Sequence, residues 1–584
     1  MAQAREGTID RLVGEVSAAR LMDTTRAIAQ WQRLSGTPDE RHAFDYVEQT
    51  LRGTGYATRR FDPVCLVSLP GPASLTLLDD GSQPTCITHS FSTSTGPEGL
   101  TGEVVYLGAG TEANYAGQDV RGKIVLAEGL AGPNKVGPSE RHGAAAMIHI
   151  SGPEIHEMII SPIWGSPTPD NVDQLPTIPH VSIDAATGAL LKERLDRGPL
   201  MVRLTTEVDT GWRPLPILVA DLPAAAPLAS DDFVLLSGHI DSWYYGAMDN
   251  GSANASMIET ARILAEHRDL LRRGLRVAFW SGHSHARYGT SAWYADEHWQ
   301  ELNDHCVAHV NIDSPGGIGA SLLTEAPTMA ETYGVARELI GYLSDQELAY
   351  RRIGRMGDQS LWGIGVPSLY CSISVQGGDE GGPDLTDAIG GEKRRGGGLG
   401  WWWHTADDTL DKLDPDNLAR DAGILLATVY QLVSDRVLPF DQTAAVEEIR
   451  RAVAAAERAS GEAIALSGLV SEADALHASA RQLTERLSQP TDDDQARALN
   501  RCLMQVSRAL IPVNYTRAGR FSQDPALDQG VVPGLRDIAA LGQLPAGSPE
   551  RYLLETRARR ERNRLRAALV EARRAIDDTL AAIS

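Results

Sequence analysis

Between Pro214 and Pro439 five nearly unbroken apolar runs, PILVADL, DFVLLSGH, LRVAFWSG, CVAHVNID and VPSLYCSIS, alternate with helical stripes such as Ala253, Met257, Ala261 and Leu264. Strands that are apolar on both faces must be covered on both faces. The alternation therefore predicts an α/β fold, a mostly parallel sheet flanked by helices. Residues 8–60 are helical in pattern, with Ile9, Leu12, Val13, Val16 and Ala19 on one stripe and Ala43, Val47 and Leu51 on another, so residues 1–62 are expected to join 214–439 in one domain. From 63 to 213 the character changes to short β-runs broken by Gly and Pro, among them GEVVYLGAG, GKIVLAEG, AAAMIHISG and IPHVSID. Residues 440–584 are helical throughout.

Composition removes several function classes. A chain of 584 residues with 42% hydrophobic and 22% charged residues is an ordinary globular protein of several domains. Its net charge of −23 argues against nucleic acid or an anionic membrane as a partner. The arginine run from Arg557 to Arg574 in the last helix is read as a solvated face rather than a polyanion site. No segment has the length to span a bilayer, and the amino-terminal residues do not read as a signal peptide. Five scattered cysteines give neither a disulfide framework nor a metal spacing, so a reducing cytoplasm is the expected location.

Four stretches carry chemistry. His239-Ile-Asp241 follows a strand run, and Asp249 comes ten residues after His239, before a helix. FWSGHSHARYGTSAWYA holds His283 and His285, HVNIDSPGG ends in Asp313, and WWWHTADDTLDKLD holds His404. His and Asp at strand ends and turns are how α/β sheets build metal sites beyond their carboxyl edge.

In order and placement these blocks resemble the co-catalytic zinc peptidases, a family that includes bacterial aminopeptidases, glutamate carboxypeptidase and the transferrin receptor. The β-rich segment 63–213 resembles the protease-associated domain inserted in some of its members. The resemblance implies that His239, Asp249 and Asp313 hold one metal. Asp249 and His404 then hold part of a second, and Asp241 orients His239. It also implies that 440–584 is a dimerisation domain, so the expected assembly is a homodimer acting on a small-molecule or peptide substrate.

The chain departs from that family at 283–285, where His-Ser-His replaces two adjacent glutamates, a general base and a ligand. By position His283 falls at the base and Ser284 at the ligand. His285 is preferred as the ligand because serine binds metals poorly. On extended backbone both imidazoles would share a face. Three outcomes stay open: His285 ligates while His283 is the acid/base; both enter a His-rich site for zinc, manganese, iron or cobalt; or the second site is empty. Zinc, as one ion or two, is the expected cofactor. The expected function is metal-dependent hydrolysis of an amide or peptide bond. The alternatives are a hydrolase or lyase of a non-peptide metabolite, and a metal-binding homologue without turnover.

Asp358 and Gln359 are candidate substrate contacts, as are Trp403, Tyr245 and Arg287, although Tyr245 and Arg287, which flank the ligand blocks, are read first as holding the fold. The glycine-rich run 390–400 and Trp401 to Trp403 read either as a surface loop or as a pocket wall.

Overall fold

The computed structural model describes residues 2–583 except 227–229, 378–397, 461–463 and 490. Most of the glycine-rich run 390–400 thus lies outside the described residues.

Thirteen described strands form two sheets. In chain order they are β1 (Ala57–Phe61), β2 (Val64–Leu77), β3 (Ile87–Thr88), β4 (Leu100–Tyr106), β5 (Ile124–Glu128), β6 (Ala146–Ile150) and β7 (His180–Ile183). Then come β8 (Met201–Pro214), β9 (Ile217–Leu222), β10 (Phe233–His239), β11 (Gly274–Trp280), β12 (Cys306–Asn311) and β13 (Ser368–Leu369).

The first sheet has the order β1-β9-β11-β10-β12-β13. Its four central and far strands, β11, β10, β12 and β13, are parallel, whereas β9 and β1 add an antiparallel edge. Every residue of β10 and β12 is buried, as expected of strands covered by helices on both faces. Helices Pro38–Gly53, Ala253–Glu266 and Pro415–Ser434 pack there, and the last has fourteen buried residues. Local chemistry starts two of them. Thr37 accepts from Glu40 N ahead of Pro38, and Asp414 accepts from Asp416 N and Asn417 N ahead of Pro415.

The second sheet, β2-β8-β4-β5-β6-β7-β3, is the β-rich insert with its own core of Ile124, Leu126, Ile148 and Val202. Four long helices, Gln442–Ser460, Ser467–Leu487, Asp493–Tyr515 and Pro549–Ile583, make the carboxy-terminal region. No described helix is long and apolar enough to cross a membrane. All five cysteines are free thiols.

Candidate metal centre

Three neighbouring parallel strands, β11, β10 and β12, end side by side; His239 is the last residue of β10, and His283 and Asp313 lie just beyond the ends of β11 and β12. The loop after β10 turns back through Gly246, which has φ +47°, where a β-carbon would collide with the Asp249 carbonyl oxygen. That turn brings Asp249 under His239, with a cis peptide to Asn250. Asn254, at the start of the next helix, donates to the carbonyls of His239 and Asn250 and fixes strand to turn.

Asp249 is the meeting point. Its Oδ1 lies 3.1 Å from His239 Nε2 and its Oδ2 lies 3.0 Å from His404 Nε2. Asp313 Oδ2 is 3.6 Å from His239 Nε2 and 4.0 Å from His283 Nε2. His239 and His283 stack with ring centres 3.8 Å apart. Among the described residues one group of three such donors, His239, His283 and Asp313, has its atoms within 4.8 Å of one another.

The tautomers follow from the opposite ring nitrogens. His239 Nδ1 donates to the Asp241 carbonyl at 2.8 Å, His283 Nδ1 to Asp358 Oδ2 at 2.9 Å, and His404 Nδ1 to the Glu157 carbonyl at 2.6 Å. Each ring therefore turns a bare Nε2 towards the carboxylates. His239 is 1% exposed and Asp249 5%. Although 3.1 Å apart, His239 Nε2 and Asp249 Oδ1 form no acceptable hydrogen bond and have no other partner. Burial would lower the His239 pKa, but Asp313, Asp241 and Asp249 outweigh it and hold the ring well above its ordinary value. Without a cation that excess of buried negative charge draws a proton onto the ring; imidazole nitrogens aimed at such carboxylates are the donor set of a divalent cation, and the residues fit one.

His285 sits differently. Residues 283–285 form a turn rather than extended backbone, so its ring does not share a face with that of His283. Two anchors hold the turn: Asp241 Oδ1 and Oδ2 accept from His283 N and Ser284 N, and Ser68 N of β2 donates to the His285 carbonyl. His285 Nδ1 lies 3.0 Å from Ser35 Oγ, which itself donates to Asp241 at 2.7 Å. Its Nε2 is buried and unpartnered, and its ring packs on Trp243. It is outside the group of donors around His239. Asp241, expected to orient His239 through its carboxylate, does so through its carbonyl; its carboxylate holds the turn.

The candidate substrate residues divide. Asp358, 2% exposed, is the partner of His283, and Gln359 is spent inside, accepting from Trp362 Nε1 and donating to the Tyr370 carbonyl. Trp403 stacks on His404 at 3.4 Å, whereas Tyr245 is 41% exposed. Arg287 is buried, and its guanidinium makes no hydrogen bond or ion pair among the described residues; its Nε has no partner. It reaches over Tyr288, whose ring meets His283 edge-on at 4.8 Å.

Several contributors carry no local signal. Asp408 accepts from Met248 N and Asp249 N at 2.8 and 2.9 Å, and burial raises its pKa to about 7. Arg33, fully buried, donates to the carbonyls of Ile240, Tyr245 and Gly246 and so shapes the loop. Glu157 comes from the insert, and burial raises its carboxyl to about 7 beside Tyr244. Only Asp408 lies in a stretch singled out by sequence, and there the eye goes to His404.

Comparison with known proteins agrees with this geometry. Residues 218–429 match Peptidase family M28, and residues 100–191 match the PA domain. The chain is 24% identical to a "Probable glutamate carboxypeptidase" of Zea mays over 49% of this chain and 49% of that protein. It is 26% identical to Carboxypeptidase Q of Bos taurus, over 45% of this chain and 57% of that one. Against a "Probable lipoprotein aminopeptidase" of Mycobacterium tuberculosis it is 27% identical, over 47% and 51%. The chain thus spans about half the length of the curated relatives it matches. Among solved structures, an aminopeptidase from Aneurinibacillus sp. strain AM-1 superposes with a TM-score of 0.55 at 20% identity, covering 72% of this chain and 95% of that one. A peptidase M28 precursor from Shewanella amazonensis gives 0.57 at 19%, over 75% and 98%. Strand order, donor placement and these matches agree: residues 218–429 are similar to peptidase family M28, and residues 100–191 to the PA domain.

Proposed function

We propose that the protein is a metal-dependent hydrolase of amide or peptide bonds, with zinc held by His239, Asp249 and Asp313. The observation that carries this reading is Asp249 set between His239 and His404, its two oxygens 3.1 and 3.0 Å from their Nε2 atoms. When bound, such an ion polarises a carbonyl and acidifies a water. His404, its ring fixed by the Glu157 carbonyl, would hold a second ion together with Asp249. His283 replaces the missing glutamate as proton acceptor at Nε2, and Asp358 stabilises the imidazolium that results. The grouping of His283 with His239 and Asp313 supports a second reading, in which His283 is itself a ligand.

Arg287 supports a choice of substrate. A buried guanidinium with no counter-charge beside the reacting centre suits a substrate that brings its own carboxylate. The five free thiols support a reducing compartment, and the long carboxy-terminal helices are proposed to form a homodimer.

The test is hydrolysis of N-acyl amino acids and aminoacyl amides by the zinc-loaded protein, with and without chelator. No chelator-sensitive turnover of either class would overturn the hydrolase reading. Metal analysis of His283→Ala separates the two roles: full loading with lost turnover marks a base, and lost loading marks a ligand. Arg287→Ala should raise KM for carboxylate substrates and leave that for their amides unchanged.

A further inference from the structure

On the opposite edge of the first sheet is a cleft of about 610 Å³ that the hydrolase reading does not use. Asp232, Arg273 and His305, the residues immediately before β10, β11 and β12, lie on one wall, at the amino ends of strands whose carboxyl ends carry the metal centre. The other wall is the helix Asp493–Tyr515, where Arg497, Arg501, Met504 and Arg508 follow at steps of four, three and four and so share a face. That spacing ordinarily carries an apolar stripe; here three of the four are arginines.

Seven arginines and four carboxylates line the cleft, in a chain of net charge −23. Two of the guanidiniums are buried and meet only main-chain oxygens. Arg273 donates to the carbonyls of Leu432, Asp435 and Arg436, and Arg508 to those of Leu302, Asn303, Gly365 and Cys306. Their hydrogen bonds are complete, yet no carboxylate touches either charge, and buried charges of this kind are ordinarily paired. Arg520 has a buried Nε without a partner, and the side chain of the exposed Arg501 makes no hydrogen bond or ion pair among the described residues. A concave, polar wall with surplus guanidinium focuses positive potential, and the planar fork of arginine fits the oxygens of phosphate. The volume is that of a small-molecule site and is too small for a polymer.

We propose that this cleft binds a small multivalent phosphate-type oxyanion, with Arg501 as its exposed contact and Arg508 and Arg273 as the fixed charge behind it. Titration calorimetry of the full chain with inorganic pyrophosphate, at constant ionic strength and with citrate as the carboxylate counterpart, tests it. The expected result is one saturable pyrophosphate site per chain. Arg501→Glu, on an exposed helix position, should weaken it between about ten- and a hundredfold, the loss of a charge-assisted contact. Arg501→Lys should fall between, and Asp249→Asn should retain the site, which separates it from anion binding at the metal centre. No saturable binding, an unchanged affinity in Arg501→Glu, loss of the site in Asp249→Asn, or citrate binding as tightly as pyrophosphate would each overturn the assignment. So would a change of association state in Arg501→Glu without pyrophosphate binding, which would mark the face as a contact between copies.

Discussion

At the scale of single residues, the proposed proton transfer rests on His283. Its ring is held by Asp358 at 2.9 Å, so Asp358→Asn should let the ring choose the wrong tautomer. The expectation is a fall in kcat of about ten- to a hundredfold with zinc content unchanged, the usual effect of losing such a partner. An unaltered kcat would show that His283 needs no orienting group. The site was half legible in the sequence. His239, Asp249, Asp313 and His404 stand out because metal donors cluster at strand ends and turns, which sequence pattern locates. Arg33 and Ser35 do not, since each acts through a neighbour distant along the chain, and Asp358, which reads as a substrate contact, is instead the partner of His283. Donor chemistry favours His285 over Ser284 as a ligand; the turn held by Asp241 and Ser68 sets its Nδ1 against Ser35 and leaves it outside the donor group around His239.

At the scale of elements, the loop carrying Asp249 depends on Asp408, which accepts two amide hydrogens from its backbone. Asp408→Ala leaves both donors buried and unpaired, at a cost of about 1–3 kcal/mol each before relaxation. Urea unfolding of the variant should show a loss of about 2–4 kcal/mol, together with weaker zinc binding measured by competition with a chelating dye. Stability equal to that of the native protein would mean that water replaces the carboxylate. The strands themselves were read correctly from their apolar runs, but direction is not encoded in such a run. PILVADL looks like its neighbours, yet β9 lies antiparallel to β11 because β1 and β9 close the sheet edge together. The amino-terminal stripe from Ile9 to Ala19 is in fact two helices, divided at Gly14 to Ser17, where Ser17 caps the second.

At the scale of the whole molecule, pH should act through the insert as well as through the metal centre. His89, His149 and His180 are fully buried there. His149 Nε2 lies 3.1 Å from His180 Nδ1, His89 Nε2 lies 2.8 Å from Ser182 Oγ, and each ring has one nitrogen with no partner. Burial lowers His89 and His180 from 6.5 to about 3. Above pH 6.5 these rings are neutral in folded and unfolded chain alike. Below it the unfolded chain takes up protons that the folded insert refuses, so the stability they contribute is lost as pH falls towards 3. Each costs about 1.4 kcal/mol per pH unit across that window. Urea midpoints at pH 7.5 and 5 should differ less in His89→Gln than in the native chain; an equal difference would remove His89 from the account.

Metal should likewise stabilise the whole, since its ligands come from separate segments. A chelator is expected to lower Tm in the native protein and not in Asp249→Asn, whereas an equal shift in both would place the effect elsewhere. The two hydrogen bonds that join Glu157 to His404, one in each direction, give this a mechanical meaning. The last histidine is clasped by the insert, so an ion on its ring rivets two domains that the chain joins only at β1–β2 and β8–β9. Withdrawing the ion should loosen the rivet. Amides around Glu157 would then exchange faster with deuterium, although no ligand lies in the insert at all.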